Sequence, residues 1–445
     1  MKTTNKIDCF KCLVFVLFLL IVPSIAYTDT GDILSKFQPY ITIQEEFTNN
    51  IYLNRHNKIS DYITSISPGL RFSTLPRSET TREFRPASSS METRYGLDLD
   101  YNTPFAYYAK GSRDNYVGLA GTLNAWYSFD PSLTFRVRNY SIRSEEPRER
   151  DYSATALQGQ YLLSIERGIR PIYFRNVFGP SIEYRFGREN IFLTSYENNI
   201  YRNQSPLSEN SVENLINPRL TYWFNIRNGL SLDYRLTLGN FQRSPDLIGH
   251  RTMARYTYRF NPRTSIFGEY TFLRRDFDFT GIDYDVHRPS FGIEHAFSPS
   301  LRGRAQMGYF WQNPKKGLKA GGFFYDVSAT QRAERTTYTL LFQGGYVEDY
   351  FTAQNLGFAK YHRGVATVTH RLQERMTVGL AGSVERTKLS SGQRDLIYAI
   401  LGNASYQIQR WLILSAEVSR REDHSNLYTA DYREYRGLFR ITATY

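Results

Sequence analysis

RYTYRFNPRTSIFGEYTF, residues 255–272, sets arginines among aromatic side chains in strict alternation. Tyr256, Tyr258 and Phe260 share one parity; Arg255, Thr257 and Arg259 share the other. After Asn261-Pro262, residue types that favour a turn, Ile266, Tyr270 and Phe272 fall opposite Glu269. Successive side chains of a strand point to opposite faces, so the stretch reads as two strands and a tight turn. One face is fit for lipid and the other for water.

The same period of two recurs along the chain. LSLDYRLTL (230–238) sets Leu230, Leu232, Tyr234, Leu236 and Leu238 against Ser231, Asp233, Arg235 and Thr237. RLTYWFNI (219–226), RYGLDLDY (94–101), TYTLLFQG (337–344) and WLILSAEVS (411–419) follow the same rule. The implied strands have about 10–13 residues, longer than the 5–6 usual in soluble sheets. A tilted strand needs about 9–11 residues to cross a bilayer. Short turns at FDPSL, FGREN, IRNGL, FNPRT, FSPSL, RAERT, LQERM and YQIQR alternate with longer polar stretches such as NPKKGLKAG and VEDYFTAQNLG. That asymmetry predicts an all-β, up-and-down antiparallel transmembrane barrel with short periplasmic turns and longer extracellular loops. Each repeat holds two long strands, which argues against a propeller blade of four short ones.

The expected strands are 37–50, 61–75, 94–108, 115–129, 132–143, 173–186, 190–203, 215–226, 230–241, 250–260, 264–276, 286–297, 301–312, 322–333, 336–347, 359–372, 375–386, 396–407, 410–421 and 434–445. They make about 20 strands, within a range of 16–22. Residues 76–93 would then be an unusually long periplasmic turn, and 144–172 a long external or inward-folding loop. Phe129, Phe186, Phe260 and Phe297 each precede a tight turn, as an aromatic girdle at the headgroups requires. The chain closes on GLFRITATY, with Phe439, Ile441, Ala443 and Tyr445 on one face. Such an end suits recognition by the barrel assembly machinery.

At the other end, Lys2, Lys6 and Lys11 flank the apolar run Leu13–Val22, and Ser24-Ile25-Ala26 follows. This layout predicts a signal peptide over 1–26, leaving 27–445 as the barrel. Cys9 and Cys12 lie inside it, so their CxxC carries no redox or metal chemistry in the mature chain. Loss of the segment takes only two units from the formal net charge of +12. An exported chain has little access to nucleic acid, so the basic balance points to arginine in a polar interior and in outer loops.

A barrel this wide is not filled by its own side chains. The inward parity gives the candidate pore-lining residues: Arg219, Asp233, Arg235, Arg255, Arg259, Glu269, Arg302 and Arg304. Their guanidinium forks suit anionic or polyhydroxylated solutes, although they could equally be satisfied by neighbouring carboxylates. Signatures of catalysis are scarce. The sequence has no HExxH, GxSxG, Walker loop or dinucleotide fingerprint, and Glu294 and His295 point to opposite faces. No catalytic residue, cofactor or metal is expected.

DYITSISPGLRFS (61–73), YFRNVFGPSIEYRFGRENIFLTSYENNIYRN (173–203) and RYTYRFNPRTSIFGEYTFLRRDFDF (255–279) resemble a family of outer-membrane β-barrel porins of Gram-negative bacteria. Its members often occur beside exopolysaccharide or exosortase (PEP-CTERM-type) export systems. The resemblance implies a multi-pass outer-membrane channel for hydrophilic solutes, with lipid or lipopolysaccharide around it and exopolysaccharide or export proteins as partners. It carries no site residues. Two other readings remain open at this stage: a non-conducting accessory barrel for surface-polymer assembly, and an outer-membrane lipase or glycan-modifying enzyme.

Overall fold

The structure, a computed structural model, describes residues 36–74, 94–111, 115–145, 170–205, 208–279, 281–351, 355, 357–427 and 431–445. The expected signal peptide, the long turn 76–93 and most of 144–172 lie outside them. Twenty-two strand segments run in order: β1 (Phe37–Thr48), β2 (Asp61–Ser73), β3 (Tyr95–Asn102), β4 (Phe105–Tyr108), β5 (Tyr116–Val117), β6 (Leu119–Ser128), β7 (Leu133–Ser144), β8 (Tyr173–Phe186), β9 (Asn190–Asn203), β10 (Ser211–Trp223), β11 (Asn228–Phe241), β12 (Leu247–Asn261), β13 (Thr264–Phe277), β14 (Tyr284–Ala296), β15 (Leu301–Pro314), β16 (Ala320–Arg332), β17 (Thr336–Asp349), β18 (Gly357–Gln373), β19 (Met376–Leu389), β20 (Arg394–Gln409), β21 (Leu412–Ser425) and β22 (Tyr432–Thr444). Neighbours pair antiparallel, and β22 returns to β1 from Tyr40↔Thr444 to Thr48↔Arg436. The sheet is thereby closed, with no free edge.

The wall has 20 staves. β3 and β4 both pair with β2, and β6 and β5 pair with β3 and β4, each in one unbroken register. Each of these pairs is therefore a single stave with a gap. The expected continuous strands 94–108 and 115–129 are corrected here, being interrupted at Thr103-Pro104 and at Gly118. Pro104 has no N–H to give the ladder. Its carbonyl accepts from Gly118 at 2.7 Å, while Thr103 donates to Pro68 at 3.0 Å. Elsewhere the expected staves are found within a few residues, several of them longer at the long-loop end.

One rim carries the wall's two termini and the short turns. Side chains that mimic turn backbone set these turns. Asp130 accepts from the Ser132 and Leu133 N–H groups at 2.6 and 3.0 Å. Asn225 accepts from Arg227 and Asn228, and Asn261 from Arg263. At the opposite rim, Asp283 binds Lys315 at 2.6 Å and the Phe277 N–H at 2.8 Å. The Lys315 bond, then the Phe277 bond, holds the Asp283 carboxyl below its usual pKa. A depressed carboxyl pKa stabilises the fold above the unfolded value of about 3.9 and stops doing so as pH falls through the folded value. Protection of the Phe277 amide in hydrogen exchange, corrected for intrinsic rate, is therefore expected to hold at pH 5 and fall below about pH 3. Protection unchanged across that window would show that the carboxylate does not anchor the loop.

Outside, the wall is apolar and bare. Phe291 is 63% exposed and Val418 65%. Phe129, Phe224, Phe260 and Phe297 all stand exposed at the short-turn rim. Phe186, expected with them, is instead half-buried, stacked between Tyr184 and Tyr222 at 5.8 and 6.3 Å. A continuous exposed belt of this kind is tolerable only against lipid, where the closed ladder satisfies every backbone group of a stave. Among the described residues no helix is long and apolar enough to cross a membrane, so the crossing is made by strands.

Candidate functional site

The inner face is the polar parity, and it is built in cross-strand rows. Arg219 on β10 stands opposite Asp233 on β11 and binds it at 2.8 Å. Arg255 on β12 reaches Glu294 on β14 at 2.6 Å, with its guanidinium 3.6 Å from the Phe267 ring centre. Arg304 on β15 approaches the same carboxylate at 3.9 Å. Arg259 binds Glu189 at 2.7 Å and lies over Trp223 at 3.5 Å. Glu269 accepts from Arg288 at 3.0 Å and from Gln306 at 3.2 Å. Most of the expected residues are therefore neutralised in pairs.

Three are not. Arg302 is exposed at the short-turn rim and has no ion-pair partner among the described residues. With Arg259, Arg263, Arg304 and Arg332 it lines a recess of about 650 Å³ whose one carboxylate is Glu294. Arg235 on β11 faces Arg251 on β12, a residue of the same parity that the sequence reading passed over.

Deeper pairs hold the wall itself. Arg363 binds Glu385 at 2.6 Å with side chains 5% and 2% exposed. Losing one member of such a pair strands a buried charge, at a cost of about 3–5 kcal/mol. Arg363→Ala is thus expected to lower the unfolding temperature of the detergent-solubilised barrel markedly, whereas Arg274→Ala, whose pair with Asp276 is 47% and 32% exposed, should change it little. Equal effects would contradict the ranking.

The long-loop mouth is narrowed from two sides. Asn50 ties the 49–60 loop by bonding the Asn54 N–H and carbonyl and the Arg433 carbonyl. Ile51 is thereby buried against Ile63, Ala106 and Tyr108, all on the inner parity. Across the mouth, β17 leaves β16 after the pair Tyr325↔Gly344 but stays paired with β18 to Asp349. The departure falls on Gly344-Gly345. A Cβ on Gly344 would meet the Tyr325 ring at 2.4 Å, and Gly345 takes φ +156°. Beyond that point the hairpin folds inward. Tyr346 and Phe358 pack on Phe310, which is 1% exposed. Phe351 stacks on Phe241 of β11 at 5.2 Å. Glu348 accepts a two-pronged bond from Arg275 of β13 at 2.6 and 3.0 Å, and another from the Tyr284 hydroxyl. Burial raises the pKa of the Tyr350 hydroxyl, which bonds Tyr284 at 2.8 Å, so it stays protonated.

Within the stretch VEDYFTAQNLG, expected as an external loop, residues 347–349 are strand and Tyr350 and Phe351 lie over the lumen, while 352–354 and 356 lie outside the described residues. The signals of this inward fold were the Gly-Gly doublet and the run of aromatics beside two acids, in a region where a solvated loop needs neither. On the outer face, His250, His287 and His362 bond the hydroxyls of Tyr234, Tyr270 and Tyr325, while His295 and His370 bond Thr264 and Thr336. Glu294 and His295 indeed lie on opposite faces of the wall.

Fold and wall together define a closed transmembrane β-barrel with an arginine-rich interior, the architecture of a porin-like outer-membrane barrel. The sequence profile of a family described as "Putative beta-barrel porin 2" matches residues 241–445, from the end of β11 to the last residue. No curated protein matches the chain in sequence. The FrpB iron transporter of Neisseria meningitidis superposes with a TM-score of 0.53 at 9% identity, over 94% of this chain and 84% of that one. A mutant of the ferric enterobactin receptor PfeA of Pseudomonas aeruginosa, in complex with enterobactin, superposes with 0.51 at 9% identity, over 92% and 81%. At these identities the likeness is one of fold.

Proposed function

We propose that the chain is an outer-membrane channel that passes hydrophilic, preferentially anionic solutes down their gradient through its arginine-lined lumen. The observation that carries this reading is a set of inward arginines that have no ion-pair partner among the described residues. Arg302 at one end and Arg235 with Arg251 nearer the other bias the lumen's potential toward anions. The resemblance to porins found beside export systems adds exopolysaccharide or its fragments as the solute class. From the basic and apolar layout of its first residues and the aromatic end GLFRITATY, we further propose a signal peptide over 1–26 and insertion through the C-terminal strand.

Osmotic swelling of proteoliposomes tests it. A sugar acid such as glucuronate should enter faster than the neutral sugar glucose, and the difference should shrink in high salt. Equal rates for the two would remove the anion preference. The inward hairpin and the 49–60 loop favour a second reading, in which the barrel is closed and serves surface-polymer assembly as an accessory. Proteoliposomes that swell with neither sugar would support that alternative.

A further inference from the structure

The matched pairs of the inner wall make one position stand out. Arg235 and Arg251 are direct cross-strand neighbours on β11 and β12, with their side chains on the same inner face. Like charges set directly opposite each other repel, which disfavours the arrangement in the absence of a counter-charge. Neither residue has an ion pair or a hydrogen bond among the described residues. The Arg235 Nε is buried with no partner at all. Asp233, within electrostatic reach of Arg251, is already bonded by Arg219, and Glu213, within reach of Arg235, accepts from Asn199. Arg288, the third cation in reach, is matched to Glu269.

The surroundings are those of a binding site rather than of open pore. On its other side Arg251 faces Leu273, which is buried in the aromatic cluster beneath the flap. Tyr346 of the flap lies within reach of the same guanidinium. A half-buried, partly apolar setting limits water and strengthens a charge-assisted bond. Two adjacent guanidinium forks present donors to both oxygens of an oxyanion, which a single lysine or a pore-lining dipole cannot do.

We infer that Arg235 and Arg251 form a subsite for one oxyanion group, a phosphate, sulfate or carboxylate carried by the solute, beneath the folded hairpin. This deepens the channel reading and rests on it for the solute, but binding does not itself require conduction. Inorganic phosphate is the probe. Calorimetric titration of the full chain in detergent should give saturable binding. Arg235→Gln/Arg251→Gln should weaken it at least about tenfold. Lys316→Gln, which removes one exposed charge from the long-loop rim, should leave it unchanged. Unshifted migration of the folded band on unheated gels confirms that the double variant still forms a barrel. Saturable, arginine-dependent binding in a protein that is silent in bilayers would sustain the subsite and remove the channel. Open channels with no phosphate binding by the wild-type chain, or binding that the double variant keeps, would overturn the subsite.

Discussion

Glu348→Ala is expected to open the long-loop mouth of the barrel and raise its single-channel conductance. The flap formed by β17 and β18 beyond Gly344 is tied to β13 by the Arg275–Glu348 pair, whose side chains are only 10% and 13% exposed. Truncating Glu348 leaves the Arg275 guanidinium buried and unpaired, and leaves the Tyr284 hydroxyl with Tyr350 alone. A stranded buried charge costs about 3–5 kcal/mol, and here the cost falls on the folded-in position of the flap. The barrel ladder is spared, because β17 and β18 remain paired to each other wherever the tip sits. The tip therefore leaves the lumen. Hydrogen exchange at residues 345–349 and 357–360 should rise along with conductance. Replacing both partners by apolar residues, Arg275→Met with Glu348→Leu, keeps the contact without the charges and should leave the mouth narrow. Conductance and exchange unchanged in Glu348→Ala would show that the aromatic packing of Tyr346, Phe310 and Phe358 alone holds the flap.

Leu340→Arg should abolish barrel assembly where Thr339→Arg, one residue away, is tolerated. Leu340 lies on β17 in the outward apolar run with Tyr338 and Phe342, all exposed. Thr339 points inward, in register with Thr330 and Thr367. An arginine facing lipid near the bilayer midplane costs about 2–4 kcal/mol, while one facing an aqueous lumen costs little. Refolding yield into lipid vesicles, read as heat-modifiable gel mobility, separates the two. Similar yields would mean that the outer face does not meet lipid.

Much of this fold was legible because its physics is periodic. A wall with lipid on one side and water on the other prints a period of two on every stave, and the turn chemistry at Asp130, Asn225 and Asn261 marks one rim. The alternation of Arg255–Phe260 fixes both the inward and the outward faces of β12. What failed to show was any feature in which a segment leaves that geometry. Past Gly344 the parity of β17 inverts its meaning, since Tyr346 and Glu348 belong to the outward set by count and to the lumen by contact. Pro104 and Gly118 interrupt the ladder without altering register, so the pattern ran through them unmarked. The pairing of inward charges was likewise invisible. Arg255 meets Glu294 two staves away, a neighbour that only the closed register supplies. For the same reason the unmatched Arg251 could not be told from the matched Arg255.

The central claim is that water and ions pass these arginines. Purified protein in a planar bilayer under a potassium chloride gradient measures it directly. Stepwise conductance is expected, with a reversal potential displaced toward that of chloride. A bilayer that stays silent, with the wild-type chain and the Glu348→Ala variant alike, would contradict it.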